Sequence, residues 1–252
     1  MIEAVGNVFG GIGARGYFAR DIGRAAASPR TYGPEIIGQM RKMGVDSIPL
    51  VAAVAAFIGA VTAVQTRFQL LPGVELTVVG LITRQSIVLE LGPLLTALVL
   101  TGRVGARITA ELGTMRVTEQ IDALETLAYD PVAYLVVPRL IASIIMVPLL
   151  TIFADSIGIA TGMFAAQSAG VSNADFAEGL RLSFAPFQIF YSLLKATLFG
   201  TAIAFFCAYE GFYAEAGAEG VGRSTASAVV VTSVAILMLD ALTAMVLARY
   251  LI

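Results

Sequence analysis

Histidine is absent from the 252-residue chain, and cysteine occurs once, at Cys207. Without histidine there is no His-based catalytic triad, no His-ligated metal and no histidine proton relay. A single thiol forms no internal disulfide, and alone it makes neither a zinc nor a haem site. Charge is scarce as well, at 13% of residues against about 25% in a soluble domain. The net charge of −2 provides no basic field for nucleic acid. No G-x-x-x-x-G-K-[ST] stretch occurs, so the chain has no P-loop with which to hold nucleotide phosphates. No cofactor and no covalent chemistry are expected. The opening Met1-Ile2-Glu3 has no basic region leading into a short apolar core, and no cleaved signal peptide is expected.

What the chain has instead is apolar residues, 58% of the total, gathered into long blocks. Residues 48–64 carry no charge and approach the roughly 20 residues that cross a hydrocarbon core. Residues 78–101 form a second block interrupted by Arg84, Gln85, Glu90 and Pro93. It reads either as one kinked spanning helix or as an interfacial piece followed by a shorter span. The third block, residues 132–166, is broken by Arg139, Pro148 and Asp155 and suits one tilted span with an extension. The fourth, 187–209, contains Lys195, and the fifth, 226–248, contains Asp240. The expectation is an all-α integral membrane protein with about five transmembrane helices, forming one domain over 1–252.

Residues 1–46 are mixed and basic, with Arg15, Arg20, Arg24, Arg30, Arg41 and Lys42. From Pro34 onward, Ile36, Ile37, Met40 and Met43 alternate with Glu35, Gln39, Arg41 and Lys42, which predicts an amphipathic helix in the headgroup plane. Placing this segment in the cytoplasm also puts Arg103, Arg107, Arg116, Arg139 and Arg223 inside, leaving Arg67, Arg84, Arg181 and Arg249 outside. That bias predicts a cytoplasmic N-terminus and an external C-terminus. Gly11 to Gly16 satisfies G-x-G-x-x-G, but no strand precedes it and no βαβ unit can follow, so dinucleotide binding is set aside. In the third block Ala154, Gly158, Gly162 and Ala166 recur at helical spacing, a face along which helices approach closely.

The longest polar interruption, residues 102–131, falls on the cytoplasmic side. Ile108, Leu112 and Met115 form one helical set, and Val117, Ile121 and Leu124 another. Two short helices are expected, with Gly113 near their junction, Thr118 capping the second and Asp130-Pro131 ending it. They would offer apolar and acidic groups to a cytoplasmic partner; the alternative is an amphipathic loop folded back on the membrane.

Within this segment the run Ala110-Glu111-Leu112-Gly113-Thr114-Met115-Arg116-Val117-Thr118-Glu119-Gln120-Ile121-Asp122-Ala123-Leu124 resembles the signature of the Mla-type permeases, the MlaE/YrbE family. Glu90-Leu91-Gly92-Pro93, followed by Gly102-Arg103, is similar to a second family element, and 217–225, leading to Asp240, to a third. The resemblance runs in order from about Pro34 to the end. One position departs from it: Leu89 stands where the family often has arginine immediately before the glutamate, so no headgroup-binding arginine carries over. The resemblance implies a homodimeric permease of an ABC transporter in a bacterial inner membrane, with two cytoplasmic ATPase subunits and an MCE-domain partner on the far side. Its cargo would be phospholipid or another hydrophobic molecule moved between inner membrane and outer envelope. It also implies that Glu111, Met115, Arg116, Glu119, Asp122 and Leu124 couple the chain to the ATPase, and it places a lipid site at the dimer centre.

Ionisable residues inside the apolar blocks are Glu90, Asp155, Lys195 and Asp240. A charge in hydrocarbon is costly, so each should face protein or a wet cavity. Lys195 and Asp240 either pair structurally or line a cavity for a polar headgroup, and the two readings are compatible. Gln65 and Phe68, at the outer end of the first span, join Glu90, Lys195 and Asp240 as candidate lipid-binding residues, with Lys195 a natural contact for phosphate. An ion-coupled secondary transporter using Glu90 and Asp240 is the rival function, although inverted repeats are not visible. A membrane-embedded enzyme lacks a clustered nucleophile and base.

Overall fold

The computed structural model describes residues 2–26 and 29–247. In chain order the helices are α1 (Ile2–Ala25), α2 (Pro29–Met43), α3 (Ile48–Gln69), α4 (Thr77–Ser86), α5 (Gly92–Leu100), α6 (Ala106–Val117), α7 (Gln120–Thr126), α8 (Val137–Ser168), α9 (Asn173–Arg181), α10 (Pro186–Phe212) and α11 (Ala218–Leu247). Two π-turns, Ile87–Leu91 and Thr101–Gly105, join helices without breaking them, and a third, Val132–Val136, leads into α8. Among the described residues five helical stretches are long and apolar enough to cross a membrane: Gly33–Gln69, Thr77–Val117, Val132–Ser168, Pro186–Phe212 and Ala218–Leu247. The second block is thus one helix interrupted by π-turns rather than an interfacial piece and a short span. Arg249, assigned to the outside from its sequence position, lies outside the described residues. Large apolar side chains such as Phe57, Val61, Phe164, Met238 and Met245 are exposed, as expected where lipid replaces water as solvent.

The chain packs as two compact units, one of residues up to Met43 with Thr101–Ser143 and Thr201–Ser233, the other of Gly44–Leu100, Ile144–Gly200 and residues from Val234 onward. In the first unit α1, which the mixed N-terminal sequence does not delineate as a helix, buries Phe18, Ile22 and Ala25 at helical spacing. Phe18 meets the rings of Phe205, Tyr209, Phe212 and Tyr213, and Arg15 pairs with Glu210 at 3.0 Å. The glycines at 11–16 lie on this helix, so they form no phosphate loop.

In the second unit the small-residue face of α8 meets α3 of the same chain. A Cβ on Gly59 would fall on the backbone of Gly158, and Gly162 lies against Gly59, Thr83 and Ala63. Thr161 completes the contact by donating to the Ala56 carbonyl at 3.1 Å. With no hydrophobic drive between helices in lipid, this close approach supplies dispersion contact instead. Helix α9 starts at an N-cap, the Ser172 hydroxyl accepting from the Asp175 N–H at 3.1 Å and donating to the Asp175 carboxylate at 2.7 Å, and packs against α4 through Phe176.

Candidate transport site

Glu90, Lys195 and Asp240, from three of the apolar blocks, come together in the second unit. Lys195 sits in mid-α10 with its side chain 0% exposed, and its Nζ lies 2.8 Å from Glu90 Oε2 and 2.5 Å from Asp240 Oδ1. The contact to Asp240 is an ion pair by distance without the alignment of a hydrogen bond. The ammonium also donates to the Leu89 carbonyl at 3.2 Å and lies 5.1 Å from the centre of the Tyr191 ring. Proline explains the carbonyl: Pro93 has no N–H to return to Leu89 four residues earlier, and a lysine from another helix takes its place. The π-turn Ile87–Leu91 carries Glu90 and Leu89 together, consistent with the association of such turns with functional positions.

One ammonium faces two carboxyl groups. Glu90, 45% exposed, is the accessible member of the group, whereas Asp240 is 11% exposed. Lys195 and Asp240 therefore pair, and Lys195 is enclosed rather than open to a headgroup. An apolar cleft between α3 and the helix that carries Glu90 is lined by Val51, Val54, Ile58, Leu91, Leu95 and Val99, without Glu90 itself. Gln65 and Phe68 are exposed on the far part of α3, and Gln65 borders a shallow hollow with Ala60, Val61 and Val64. Among the described residues no hydrogen bond or ion pair joins Gln65 to the lysine group.

Tyr191 and the Leu89 carbonyl are members of the group that sequence reasoning missed. The tyrosine carries a signal, its place four residues before Lys195 on one helix face. The carbonyl is legible only through the absent donor of Pro93.

In the first unit the expected two-helix segment is present as α6 and α7, with its junction elsewhere. Gly113 lies inside α6 against Ala214 and Val221, and the chain turns at Glu119, whose φ is 58°. Thr118 does not cap α7: its hydroxyl donates to the Thr114 carbonyl at 2.8 Å. Asp130 does not end α7 but opens the next span, accepting from the Val132 and Ala133 N–H groups at 2.9 and 3.3 Å. Leu112 is fully buried and unavailable to a partner. Glu111 faces inward, pairing with Arg107 at 2.8 Å and with buried Arg139 at 3.3 Å. Arg116 and Asp122 pair at 2.6 Å, Glu119 is exposed, and Met115 and Leu124 are partly exposed. Leu127 and Tyr129 add exposed apolar surface beyond the residues expected from the sequence.

Residues 36–246 match the family described as Permease MlaE. A probable ABC transporter permease protein of Rickettsia prowazekii is 43% identical over 220 residues, covering 83% of this chain and 82% of its own. One from Synechocystis is 39% identical over 199 residues, 79% of this chain and 76% of its own. The intermembrane phospholipid transport system permease protein MlaE of Haemophilus influenzae is 32% identical over 213 residues, 84% of this chain and 82% of its own. A helical chain with five candidate spans, a lysine neutralised by carboxylates from two other spans, and a match over most of its length to these permeases belongs to the MlaE permease family as a multi-pass transmembrane transporter subunit.

Proposed function

We propose that the chain is the permease of an ABC transporter that moves phospholipid or another hydrophobic molecule between the inner membrane and the outer envelope. ATP would be hydrolysed by a separate subunit. The observation that carries this reading is the half-exposed Glu90 of the lysine group, within the membrane-spanning part of the chain. The name of the Haemophilus influenzae relative, an intermembrane phospholipid transport permease, points the same way. In this reading a lipid headgroup meets the Glu90 carboxyl. An ammonium headgroup suits that carboxyl directly. A phosphate reaches Lys195 only by displacing Glu90 or Asp240, so loading and release become an exchange of partners at one ammonium. Gln65 and Phe68 line the approach along α3.

The N-terminus and residues 102–131 face the cytoplasm in this reading, where Glu119, Asp122, Met115, Arg116 and Leu124 dock on the ATPase and Glu111 holds their helix in place. A second copy of the chain completes the lipid site, and an MCE-domain protein receives or supplies lipid on the far side.

Purification from native membranes tests both halves. The chain should bring down an ATPase, Glu119→Lys should weaken that association, and mass spectrometry should find lipid in the complex. Glu90→Gln, which leaves Lys195 paired with Asp240, should reduce retained lipid without loss of assembly. A fully active chain with no ATPase, or unchanged lipid retention and transfer in Glu90→Gln, overturns the reading.

A further inference from the structure

Helix α1 precedes the part of the chain that matches the family, residues 36–246. Its inner side is fixed: Phe18, Ile22 and Ala25 are buried, and Phe18 meets four rings between Phe205 and Tyr213, at the end of the fourth span. At about 100° per residue, Tyr17, Arg20 and Arg24 fall within about 60° of arc on the other side. All three are exposed. Asp21 borders this stripe, and Arg15, on the inner side, is paired with Glu210. Helix α2 repeats the pattern. Gln39 and Met43 are buried, Ile37, Arg41 and Lys42 are exposed, and the helix runs on into the first span. Both helices pack on Val132–Val136, the turn that leads into α8. Among the described residues Arg20, Arg24, Arg41 and Lys42 take part in no ion pair.

Depth decides what these faces meet. Helix α1 lies along the last turns of one span and α2 leads directly into another, so both sit where hydrocarbon gives way to headgroups. Exposed tyrosine and isoleucine suit that level, with arginine and lysine reaching from the same face to phosphate. The sign of the charge then selects the lipid. A zwitterionic head sets its own ammonium against these cations, whereas a head with a net negative charge meets them without that repulsion. Guanidinium groups hold phosphate oxygens two at a time, which favours a phosphodiester over a lone carboxylate at Arg20 and Arg24.

We propose that the outward faces of α1 and α2 bind anionic phospholipid headgroups of the leaflet that borders them. These faces are separate from the lysine group. The inference rests neither on what the permease transports nor on which way it is oriented.

The chain has no tryptophan, so Tyr17→Trp and Ile37→Trp each place a single indole on one of the faces. Each full-length variant is measured in nanodiscs of phosphatidylcholine and phosphatidylglycerol, with one lipid or the other brominated, since bromine quenches an indole that it touches. At Tyr17→Trp, phosphatidylglycerol should quench as if enriched about fivefold. That is the factor for about one net cation at an anionic surface, two arginines less Asp21. At Ile37→Trp, beside two cations, the enrichment should be larger. Adding Arg20→Gln and Arg24→Gln should remove the preference at α1, and Arg41→Gln with Lys42→Gln should remove it at α2. High salt should weaken both. Phe164→Trp, on an exposed position of α8, reports ordinary lipid contact and should show no preference. Every substituted side chain is exposed, so folding is little threatened. Each face is judged by its own indole. No quenching by either lipid, as expected of a face turned to water or covered by a protein, overturns the proposal there. Equal quenching by the two lipids overturns it as well, and so does a preference that survives the glutamine substitutions. None of these results bears on ATPase association or on lipid at Glu90, so the transport reading stands or falls apart from this one.

Discussion

Lys195 Nζ and Asp240 Oδ1 stand 2.5 Å apart, a cation from one span against an anion from another. Deleting one partner of a buried pair costs about 3–5 kcal/mol, because the other charge is left uncompensated. Lys195→Ala should therefore lower the melting temperature of the detergent-solubilised chain sharply. Adding Asp240→Asn to that variant should restore part of the loss by removing the stranded charge. No recovery in the double variant would mean that the lysine acts mainly through Glu90.

Gly59 and Gly158 supply an asymmetric test of the α3–α8 contact. A methyl on Gly59 meets the Gly158 backbone, which cannot move aside, whereas a methyl on Gly158 finds its nearest neighbour, the Ala55 carbonyl, at 3.4 Å. Gly59→Ala should destabilise by about 1–3 kcal/mol or more, as overpacking does. Gly158→Ala should be near neutral, since alanine's helix propensity offsets a tight fit. Thermal unfolding followed by circular dichroism measures both, and equal effects would contradict the packing.

Topology is open to chemical labelling. Arg20 and Glu119 are exposed, and native Cys207 is buried and replaceable by alanine. Cysteines at 20 and 119 should resist a membrane-impermeant maleimide in intact cells and react once the cells are permeabilised. Labelling of either from outside reverses the orientation.

Glu111 and Glu119 share a proposed coupling segment yet should behave differently. Glu111→Gln removes the carboxylate that pairs with buried Arg139 and should cost about 1–3 kcal/mol. Glu119→Gln, on an exposed turn, should leave the melting temperature unchanged and lower ATPase co-purification. Equal stability of the two variants would remove Glu111 from its structural role.

The spans were legible because each is a long apolar block, and block length survives any detail of packing. The small-residue face of α8 was legible too, since alanine and glycine at 154, 158, 162 and 166 mark close approach whatever the partner. The α6–α7 junction was not. Gly113 invited a break, but its lack of a side chain serves packing against Ala214 and Val221, and the turn falls on a glutamate in the left-handed region. Helix α1 escaped because its buried stripe, Phe18, Ile22 and Ala25, is narrow and set among glycines and arginines. At the site, Glu90, Lys195 and Asp240 were conspicuous as charges in apolar surroundings. The Lys195–Asp240 pair was among the readings the sequence allowed; that Glu90 joins it depends on spatial neighbours that one sequence does not encode.

The π-turn at Ile87–Leu91 holds one residue more than α geometry needs, which sets α5 about 100° out of phase with α4. The long helix is in effect two rulers joined with an offset. A periodicity drawn through both misassigns every face beyond the join. A single-residue deletion between 87 and 91 would not be a local loss: it would swing Glu90 or Leu89 off Lys195 and turn Leu95 and Val99 out of their cleft. Loss of one residue there should be far more damaging than any one substitution in the same stretch.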